Sequence, residues 1–255
     1  MSATNLSGRV VLITGASAGI GAATAQEFAK YELKSNIRKE YPSVEIHIAV
    51  VDIRNKNEID NAVKDLPEKF KDIDVLAGIA IGFDTIENQT QDNILAVLET
   101  NINGLIYMTQ AVLPRMKERN SGDIINIGSI SGTQTHQYGN SIYAGSKYAV
   151  EGITDSIRRE LVATKIRVII IRPGAVNTEF TVRRAGGDTD FNNTYFAGYE
   201  PLVAKDIAEC VVFAATRPTN VVVAEMFVLP TAQADITLFH REGNVGPLAK
   251  SDNKN

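Results

Sequence analysis

The sequence contains no tryptophan, a single cysteine and three histidines, and these shortages exclude several classes of protein. One cysteine cannot form an internal disulfide, so we expect a reducing compartment, most simply the cytoplasm. Cys210 lies in an apolar run, where a buried structural thiol is the preferred interpretation and a nucleophile the weaker one. The histidines (His47, His136 and His240) have no second metal ligand at helical or turn spacing, so no metal site is predicted.

Strong charge of one sign and long apolar runs are also absent. The net charge of −4 is mild and both signs are mixed along the chain, which argues against nucleic acid or an anionic membrane as the main partner. No apolar run approaches the ~20 residues that span a bilayer, and the first seven residues lack the features of a signal peptide. We predict one domain over residues 1–240, followed by a loose polar tail over residues 241–255.

Short β-branched apolar runs alternate with helical patterns along most of the chain. Strands are predicted at residues 9–14, 44–51, 74–76, 123–127, 166–171 and 221–229, and helices at residues 22–30, 57–69, 91–116, 141–164 and 204–215. Such alternation produces βαβ units and a parallel sheet. The predicted fold class is therefore α/β: a single-domain, Rossmann-like, doubly wound parallel sheet with helices on both faces.

A glycine-rich turn follows the first predicted strand, in Thr14-Gly15-Ala16-Ser17-Ala18-Gly19-Ile20-Gly21. Glycines there let the backbone bend tightly and approach a pyrophosphate, which then meets free N–H groups at the start of the next helix. Glycine alone is weak evidence, since any tight strand-to-helix turn favours it. The position after the first buried strand favours a dinucleotide site.

Two titratable side chains stand four residues apart in the helix predicted at residues 141–164. Tyr143 and Lys147 share a helix face at this spacing, and the ammonium is expected to lower the pKa of the phenol below its usual value of ~10. Taken alone, such a pair is more often a surface contact. Ser129, however, follows the strand predicted at residues 123–127, at the sheet edge where ligands bind. The combination favours an acid–base site.

The order of these motifs resembles the short-chain dehydrogenase/reductase family. Thr-Gly-x-x-x-Gly-Ile-Gly, Asn-x-x-Gly, Ser, Tyr-x-x-x-Lys and Pro-Gly-x-x-x-Thr follow one another between about Gly8 and Pro230. The resemblance implies an oxidoreductase that moves a hydride between a nicotinamide cofactor and a small alcohol or carbonyl. Segments such as Ser121-Gly122-Asp123-Ile124 and Leu229–Ala234 are similar to the NADP-dependent 3-hydroxy acid dehydrogenase (serine-type) subgroup. NADP, more than NAD, is therefore the expected cofactor, and a 3-hydroxy acid or a carbonyl compound the expected substrate.

The same resemblance assigns a role to each site residue. Tyr143 would be the catalytic acid–base, Lys147 would hold the nicotinamide ribose, Ser129 would bond the substrate oxygen, and Asn101 would position a water in the proton relay. Asn103 competes for this last role, but Asn101 has the family spacing to Gly104. Asp52 would contact the adenine ring, and the loop from Pro173 to Thr178 would grip the carboxamide. The implied cofactor-binding residues are Gly15, Ser17, Gly19, Ile20, Gly21, Asp52, Ile53, Gly78, Asn101, Tyr143, Lys147, Pro173, Gly174, Val176 and Thr178.

The sequence departs from the family pattern at two points. After Lys30 the chain continues into a second charged, helical segment, and the family's second strand is missing. Before Gly78, only Ala-Gly remains of the family's Asn-Asn-Ala-Gly motif. Either the protein lacks both pieces, or a segment of the native chain is missing from the sequence after Lys30 and after Leu76. We favour the second hypothesis, because both gaps fall at the predicted cofactor site, where loops often order only on binding. Continuous peptide density through Lys30–Tyr31 and Leu76–Ala77, at ordinary bond lengths, would refute it.

Several alternatives stay open. The segment Glu179–Glu200 corresponds to a mobile substrate lid in the family, where Arg183 and Arg184 either pair with a substrate carboxylate or are solvated charges. Five aromatic residues either line the pocket or pack within the lid: Tyr138, Phe180, Phe191, Tyr195 and Phe196. The apolar faces of the helices at residues 91–116 and 141–164 imply a homodimer or homotetramer, or else serve an internal core. A non-catalytic or vestigial nucleotide-binding scaffold and another family chemistry, such as epimerisation, are the alternatives to the oxidoreductase.

Overall fold

Runs of valine and isoleucine form a sheet of five parallel strands in the computed structural model, which describes residues 6, 8–34, 44–78, 86–135, 141–179, 181 and 189–243. The strands are β1 (Val10–Ile13), β2 (Ile73–Gly78), β3 (Gly122–Ile127), β4 (Ile166–Pro173) and β7 (Glu225–Val228). A separate two-stranded sheet joins β5 (Val176–Asn177) to β6 (Leu202–Val203). All pairings are parallel, so each crossover needs a helix or a long connection.

Seven α-helices connect the described strands. They are α1 (Gly19–Lys34), α2 (Lys56–Lys64), α3 (Gln91–Leu98), α4 (Gly104–Arg119), α5 (Ser141–Glu160), α6 (Thr189–Phe196) and α7 (Ala204–Ala215). Short 3₁₀ turns lie at Glu68–Phe70, Ile86–Asn88 and Ile130–Gly132, and a π turn at Glu99–Asn103 joins α3 to α4. Among the described residues, no helix is long and apolar enough to cross a membrane.

Alternate residues of the central strands enter two separate cores. On one face, Ile125, Ile127, Ile169 and Ile171 pack with side chains of α1 and α7. On the other face, Ile124 and Val168 pack with side chains of α2, α4 and α5. Because β3 and β4 are covered on both faces, their sequences are continuous apolar runs. The predicted parallel α/β sheet with helices on both faces is confirmed.

The strand predicted at residues 44–51 is wrong, since these residues have no regular secondary structure. The apolar residues Ile46, Ile48 and Val50 are 76%, 82% and 100% exposed. A strand forms only beside a neighbour that takes up its hydrogen bonds. Within the described part of the chain, β1 pairs only with β2, so its other edge offers residues 44–51 no adjoining strand.

The hypothesis of missing segments stays a prediction. In the structure of this sequence, Lys30–Tyr31 lies inside α1 and Leu76–Ala77 lies inside β2. The described residues accordingly contain no strand between β1 and β2.

Helix boundaries differ from the predictions where backbone geometry changes within an apolar pattern. The helix predicted at residues 91–116 is divided by the π turn, and the one predicted at residues 57–69 ends at Lys64 before a 3₁₀ turn. The helix predicted at residues 141–164 ends at Glu160, and α1 extends beyond its predicted end to Lys34. The helix at residues 204–215 has the predicted bounds. Several residues considered above lie outside the described part of the chain: His136, Tyr138, Phe180, Arg183, Arg184, the side chain of Phe191 and residues 244–255.

Candidate active site

The glycine-rich turn between β1 and α1 adopts the backbone that its sequence predicts. Gly15 and Gly19 have φ angles of +64° and +53°, which side chains other than glycine rarely adopt. Gly19 also opens α1, whose first turn contains no acidic residue. The positive end of this helix is therefore left uncompensated by its own side chains, as an anion site requires. Gly15 and Ser17 are exposed, so the turn is accessible to a ligand.

A cleft opens where β1, β2 and β3 end. Gly78 ends β2 beside Thr14, whose Oγ1 atom would lie 3.1 Å from a Cβ at residue 78. The larger set that lines the cleft comprises Thr14, Ile53, Leu76, Gly78, Asn101, Gly104, Leu105, Met108, Asn126, Ile127, Lys147 and Val150. Four of the predicted site residues, Ile53, Gly78, Asn101 and Lys147, are thus brought to one cleft.

Asn101 enters the cleft from the π turn. The wider turn interrupts the helical pattern, a feature frequently found at functional sites. The Asn101 side chain is 2% exposed, and its Nδ2 atom donates to Ser146 Oγ over 2.9 Å. Gly104 then allows α4 to approach Ile53 closely, since a Cβ at residue 104 would lie 3.0 Å from Ile53 Cδ1. The Asn-x-x-Gly motif therefore combines a buried amide with a close helix contact.

Ser146 is a residue that the sequence analysis missed. Its hydroxyl is fully buried, accepts from Asn101 and donates to the main-chain oxygen of Tyr143 over 2.7 Å. This hydroxyl therefore connects the π turn to the first turn of α5. Its position between Tyr143 and Lys147 could have indicated that Ser146 belongs to the site. A serine inside a helix, however, usually forms hydrogen bonds only within its own helix.

Lys147 is buried in the middle of the site. Its ammonium donates to the main-chain oxygen of Ile127, at the end of β3, over 2.7 Å. Burial lowers the pKa of Lys147 from its usual value of 10.5 to about 7, and the negative charge of Glu151 opposes part of that shift. The Nζ atom lies 5.7 Å from the centre of the Tyr143 ring. The predicted Tyr143–Lys147 pair therefore exists, on one face of α5.

Ser129 stands at the carboxyl end of β3, as the sequence predicts. It caps the 3₁₀ turn Ile130–Gly132, and its Oγ atom accepts from the Ser131 amide over 3.0 Å. Its hydroxyl donates to no residue in the described ranges. Gly132 allows the same turn to contact α5, because a Cβ there would lie 3.0 Å from the main-chain oxygen of Lys147. The turn that carries Ser129 is thus packed against the helix that carries Tyr143.

The Pro-Gly loop leaves β4 and reaches the glycine-rich turn. Pro173 ends β4, Val176 begins β5, and Thr178 Cβ would lie 3.6 Å from a Cβ at Gly19. Gln233 fixes this loop, since its Oε1 atom accepts from the Ala175 amide over 2.9 Å. Gln233 is 6% exposed and is a second residue that the sequence analysis missed as part of the site.

Asp52 lies at the margin of the cleft, next to the lining residue Ile53. Both of its carboxylate oxygens accept from the Arg54 guanidinium, at 2.9 Å and 2.6 Å. These hydrogen bonds lower the pKa of Asp52 from 3.8 to about 2, so the carboxylate is ionised at every physiological pH.

The aromatic residues Tyr195 and Phe196 contact each other, with ring centres 4.9 Å apart, and Phe196 also contacts Tyr199. Neither lines the cleft, which favours packing within the lid segment.

The residues that the structure describes contain no group of three or more side chains able to hold a metal ion. The cleft lies at the carboxyl ends of β1, β2 and β3, and its lining includes Thr14, which begins the glycine-rich turn, and the buried Lys147. Ser129 and Tyr143 are not part of that lining. A cleft at the carboxyl ends of the strands is the arrangement in which parallel α/β sheets bind nucleotides.

A family model described as short chain dehydrogenase matches residues 9–187. The chain belongs to the short chain dehydrogenase family. The family resemblance of its motifs is therefore confirmed, and with it the prediction of a dehydrogenase.

Relatives of known activity are similar over almost the whole chain. An NADP-dependent 3-hydroxy acid dehydrogenase of Schizosaccharomyces pombe is 37% identical over 255 residues, which covers 93% of this chain and 98% of that protein. A protein named sulfoacetaldehyde reductase 2, from Chromohalobacter salexigens, is 34% identical, with coverage of 88% and 95%. Among solved structures, the closed form of a serine dehydrogenase complexed with NADP⁺ has a TM-score of 0.80 and 32% identity, covering 91% of this chain and all of that one. This short chain dehydrogenase is thus similar to several dehydrogenases and reductases of small molecules.

Proposed function

We propose that this short chain dehydrogenase transfers a hydride between NADP(H) and a small alcohol or carbonyl compound, with a 3-hydroxy acid as the substrate. One observation carries the proposal: Lys147 is buried against the end of β3 with Tyr143 one helical turn away, in a cleft that adjoins the glycine-rich turn. The relatives named for NADP and 3-hydroxy acids support the cofactor and the substrate class.

The residues of the cleft fit the phosphates and the nicotinamide half of such a cofactor. The positive φ angles of Gly15 and Gly19 and the start of α1 suit the pyrophosphate. Lys147 and Asn101 would face the nicotinamide ribose, and the loop that contains Thr178 would hold the carboxamide. Asp52 and Ile53 would contact the adenine end of the cofactor. The bound cofactor supplies the hydride or accepts it.

The chain's own residues would orient the substrate oxygen and move its proton. The Ser129 hydroxyl, which has no acceptor in the described ranges, would donate to that oxygen. The Tyr143 phenol would deliver the proton in reduction and take it up in oxidation. The charge of the Lys147 ammonium favours the phenolate form, and Asn101 would hold the water that reloads the phenol. These groups are positioned before the reaction, so little reorganisation is needed during it.

Assembly and location are part of the same proposal. We propose a homodimer or homotetramer that uses the outer surfaces of α4 and α5, although the residues those helices bury serve the chain's own core. Tyr148 of α5 and Leu95 of the neighbouring α3 are 45% and 43% exposed and would contribute to such an interface. A cytoplasmic location fits a chain with one cysteine, Cys210.

The test is to follow the nicotinamide absorbance with purified protein and a panel of small 3-hydroxy acids, 3-oxo acids and diketones. The oxo substrates are tested with NADPH and NADH separately, the 3-hydroxy acids with NADP⁺ and NAD⁺ separately, and Tyr143→Phe is the control. We expect turnover with NADPH on 3-oxo acids, and with NADP⁺ on 3-hydroxy acids, that falls by about 10²- to 10⁴-fold in the variant, the range typical for loss of an acid–base group. Turnover that survives in Tyr143→Phe would refute the assigned role, and a preference for NADH would refute the cofactor assignment.

The open edge of β1 favours a second candidate function. Because no described strand pairs with that edge, few described residues would contact the adenosine half of a dinucleotide. Such a site would suit a scaffold that binds a nucleotide weakly and catalyses no reaction. Isothermal titration of NADPH decides between the two. Binding with turnover supports the dehydrogenase, whereas weak binding without turnover on any substrate of the panel supports the scaffold.

A further inference from the structure

Glu151 stands one helical turn beyond Lys147 on α5, outside the lining of the cleft. Arg172 of β4 holds the Oε2 atom of Glu151 over 2.8 Å, and the same guanidinium nitrogen reaches Glu225 of β7 over 2.8 Å. The Glu151 side chain is 15% exposed, whereas that of Glu225 is 49% exposed. Of the two carboxylates that share Arg172, Glu151 is therefore the inner one.

The second oxygen of Glu151 lies against the turn that carries Ser129. This Oε1 atom is buried and accepts a hydrogen bond from no residue in the described ranges. A Cβ at Gly128 would lie 2.9 Å from it, and a Cβ at Gly132 would lie 3.0 Å from Glu151 Cγ. The two glycines that flank this turn thus leave the space that the carboxylate occupies. A buried carboxylate oxygen without a donor costs stability, so packing alone does not explain its presence.

Lys147 is the group on which this carboxylate can act. Of the side chains that line the described cleft, only Lys147 is titratable. Its ammonium bonds to a neutral main-chain oxygen, that of Ile127, and the carboxylate that attracts it is that of Glu151. Tyr143 presents its ring to the ammonium, with 5.7 Å between Nζ and the ring centre. Burial lowers the pKa of Lys147 to about 7, and the charge of Glu151 opposes that shift.

The remaining charges of this cluster lie farther from the cleft. Arg172 holds the Glu151 carboxylate in place and offsets part of its charge. Glu225 offsets the charge of Arg172 in turn, and Arg158 of α5 approaches Glu225 to 3.9 Å. Because Glu225 is half exposed, water screens its charge, whereas the charge of Glu151 acts through the protein interior. The cluster therefore leaves Glu151 as the carboxylate that acts on Lys147.

We propose that Glu151 is a positioning residue of the active site, and that its carboxylate, packed against the Ser129 turn, keeps the Lys147 ammonium charged at neutral pH. Without that negative charge Lys147 would lose its proton at a lower pH, because burial would then act unopposed. In the proposed function the ammonium favours the phenolate of Tyr143. The effect of Glu151 on turnover therefore rests on that function, whereas its effect on Lys147 does not.

The pH profile of turnover tests the proposal in Glu151→Gln, with Glu225→Gln as the matched control. Glutamine keeps the shape of either side chain and removes its charge, and each variant leaves Arg172 with one carboxylate. We expect the alkaline limb of kcat/KM to move to lower pH by about one unit in Glu151→Gln, the low end of the effect of an adjacent opposite charge. The limb should stay in place in Glu225→Gln, and Glu151→Asp, which keeps the charge, should restore most of it. A limb that moves equally in both glutamine variants, or in neither, would overturn the proposal, since a purely structural loss lowers activity at every pH.

The titration of Lys147 itself separates this proposal from the proposed function. The ¹³Cε resonance of Lys147, assigned as the signal that Lys147→Met removes, reports its protonation whether or not the protein turns over. Its midpoint should fall by about one pH unit in Glu151→Gln, stay unchanged in Glu225→Gln, and rise in Arg172→Gln, where the Glu151 charge is no longer offset. The rise in Arg172→Gln decides the matter if Glu151→Gln does not fold.

A Lys147 midpoint that is the same in the natural chain, in Glu151→Gln and in Arg172→Gln would overturn the proposal even in an active enzyme. Shifted midpoints in a protein without turnover would instead refute the proposed function, while the action of Glu151 on Lys147 would stand.

Discussion

The Lys147 ammonium donates a hydrogen bond to the main-chain oxygen of Ile127 over 2.7 Å. The bond joins α5 to the carboxyl end of β3, and it places a titratable group where almost no water reaches it. Burial lowers the pKa of Lys147 to about 7. A group placed for chemistry in this way is expected to lower the stability of the fold.

Replacement of Lys147 by methionine should stabilise the protein, and the gain should depend on pH. Below about pH 7 the lysine is protonated in both states, so its burial destabilises the fold fully. Between pH 7 and the ordinary pKa of 10.5 only the unfolded chain holds the proton, so the penalty falls as pH rises. We expect Lys147→Met to raise Tm at pH 6 by roughly 4–8 °C, which corresponds to a gain of about 2 kcal/mol at 2–4 °C per kcal/mol for a chain of this size. The gain should shrink towards pH 10.

Calorimetric scans at pH 6, 8 and 10 measure this effect. Lys205→Met is the control, because the Lys205 side chain is 56% exposed and its loss should change Tm little at any pH. A gain for Lys147→Met that is equal at all three pH values would contradict the assigned cause.

Ser146→Ala should impair both the site and the fold. The change removes the acceptor of Asn101 and leaves that buried amide with one partner fewer, at a cost of about 1–3 kcal/mol in the free energy of unfolding. If Asn101 serves the proton relay, kcat should fall about tenfold while KM changes little. Ser156→Ala is the matched control, since Ser156 also bonds to its own helix but is exposed. A loss of stability without any change in kcat would limit Ser146 to a structural role.

A double-mutant cycle tests the contact between Gly174 and Gln233. A Cβ at residue 174 would lie 2.3 Å from Gln233 Oε1 and 2.7 Å from Leu229 Cδ2, so Gly174→Ala should lower the free energy of unfolding by about 1–3 kcal/mol. Gln233→Ala removes the acceptor of the Ala175 amide at a similar cost. The double variant should lose less than the sum, because the shortest contact is gone.

Urea unfolding of the four proteins gives the coupling energy. Gly152→Ala serves as the control, because open space surrounds Gly152 on α5 and alanine there should stabilise the helix by about 0.5–1 kcal/mol. Strict additivity of the two changes would mean that residues 174 and 233 do not compete for the same space.

Asp123→Asn should affect stability alone. Asp123 is 2% exposed and accepts from Arg167 at 2.6 Å and 2.7 Å and from Arg9 at 2.9 Å. The neutral side chain would leave the buried Arg167 without a counter-charge, at a cost of about 3–5 kcal/mol. Activity per folded molecule should stay unchanged, because Asp123 lies at the start of β3 and the cleft at its end.

Chemical denaturation followed by assay of the folded fraction checks both parts of this prediction. The matched control is Asp155→Asn, an exposed ion-paired carboxylate whose loss should change the stability little. A fall in kcat for Asp123→Asn at full folding would show that the ion cluster also acts on the site.

Local sequence patterns were sufficient to predict the strands of the central sheet and most of the helices. The strands β3 and β4 are buried on both faces, so each is a continuous apolar run that can be recognised without knowing which strand lies beside it. Residues 44–51 carry an equally strong strand signal and form no strand. Whether they pair is decided by a neighbour elsewhere in the chain, which a local pattern does not contain.

The site divides in the same way. Tyr143, Lys147, Ser129 and Asn101 belong to recurring motifs and were predicted; their catalytic roles stay predictions. Gln233 was missed because its partner, the Ala175 amide, is 58 residues away and is a backbone group that no side-chain pattern records. Ser146 was missed because its bond to Asn101 spans 45 residues and arises only after the π turn has formed.

The side-by-side order of the described strands has a consequence for how the chain assembles. Each of β1, β2, β3, β4 and β7 lies next to the one before it, so the sheet can grow at a single edge in the order of synthesis. Among the described strands, none that comes later in the chain has to insert behind β1, and the loops that must close are those of successive crossovers. Such a chain can begin to fold on the ribosome, from its amino end, before its last strand is made.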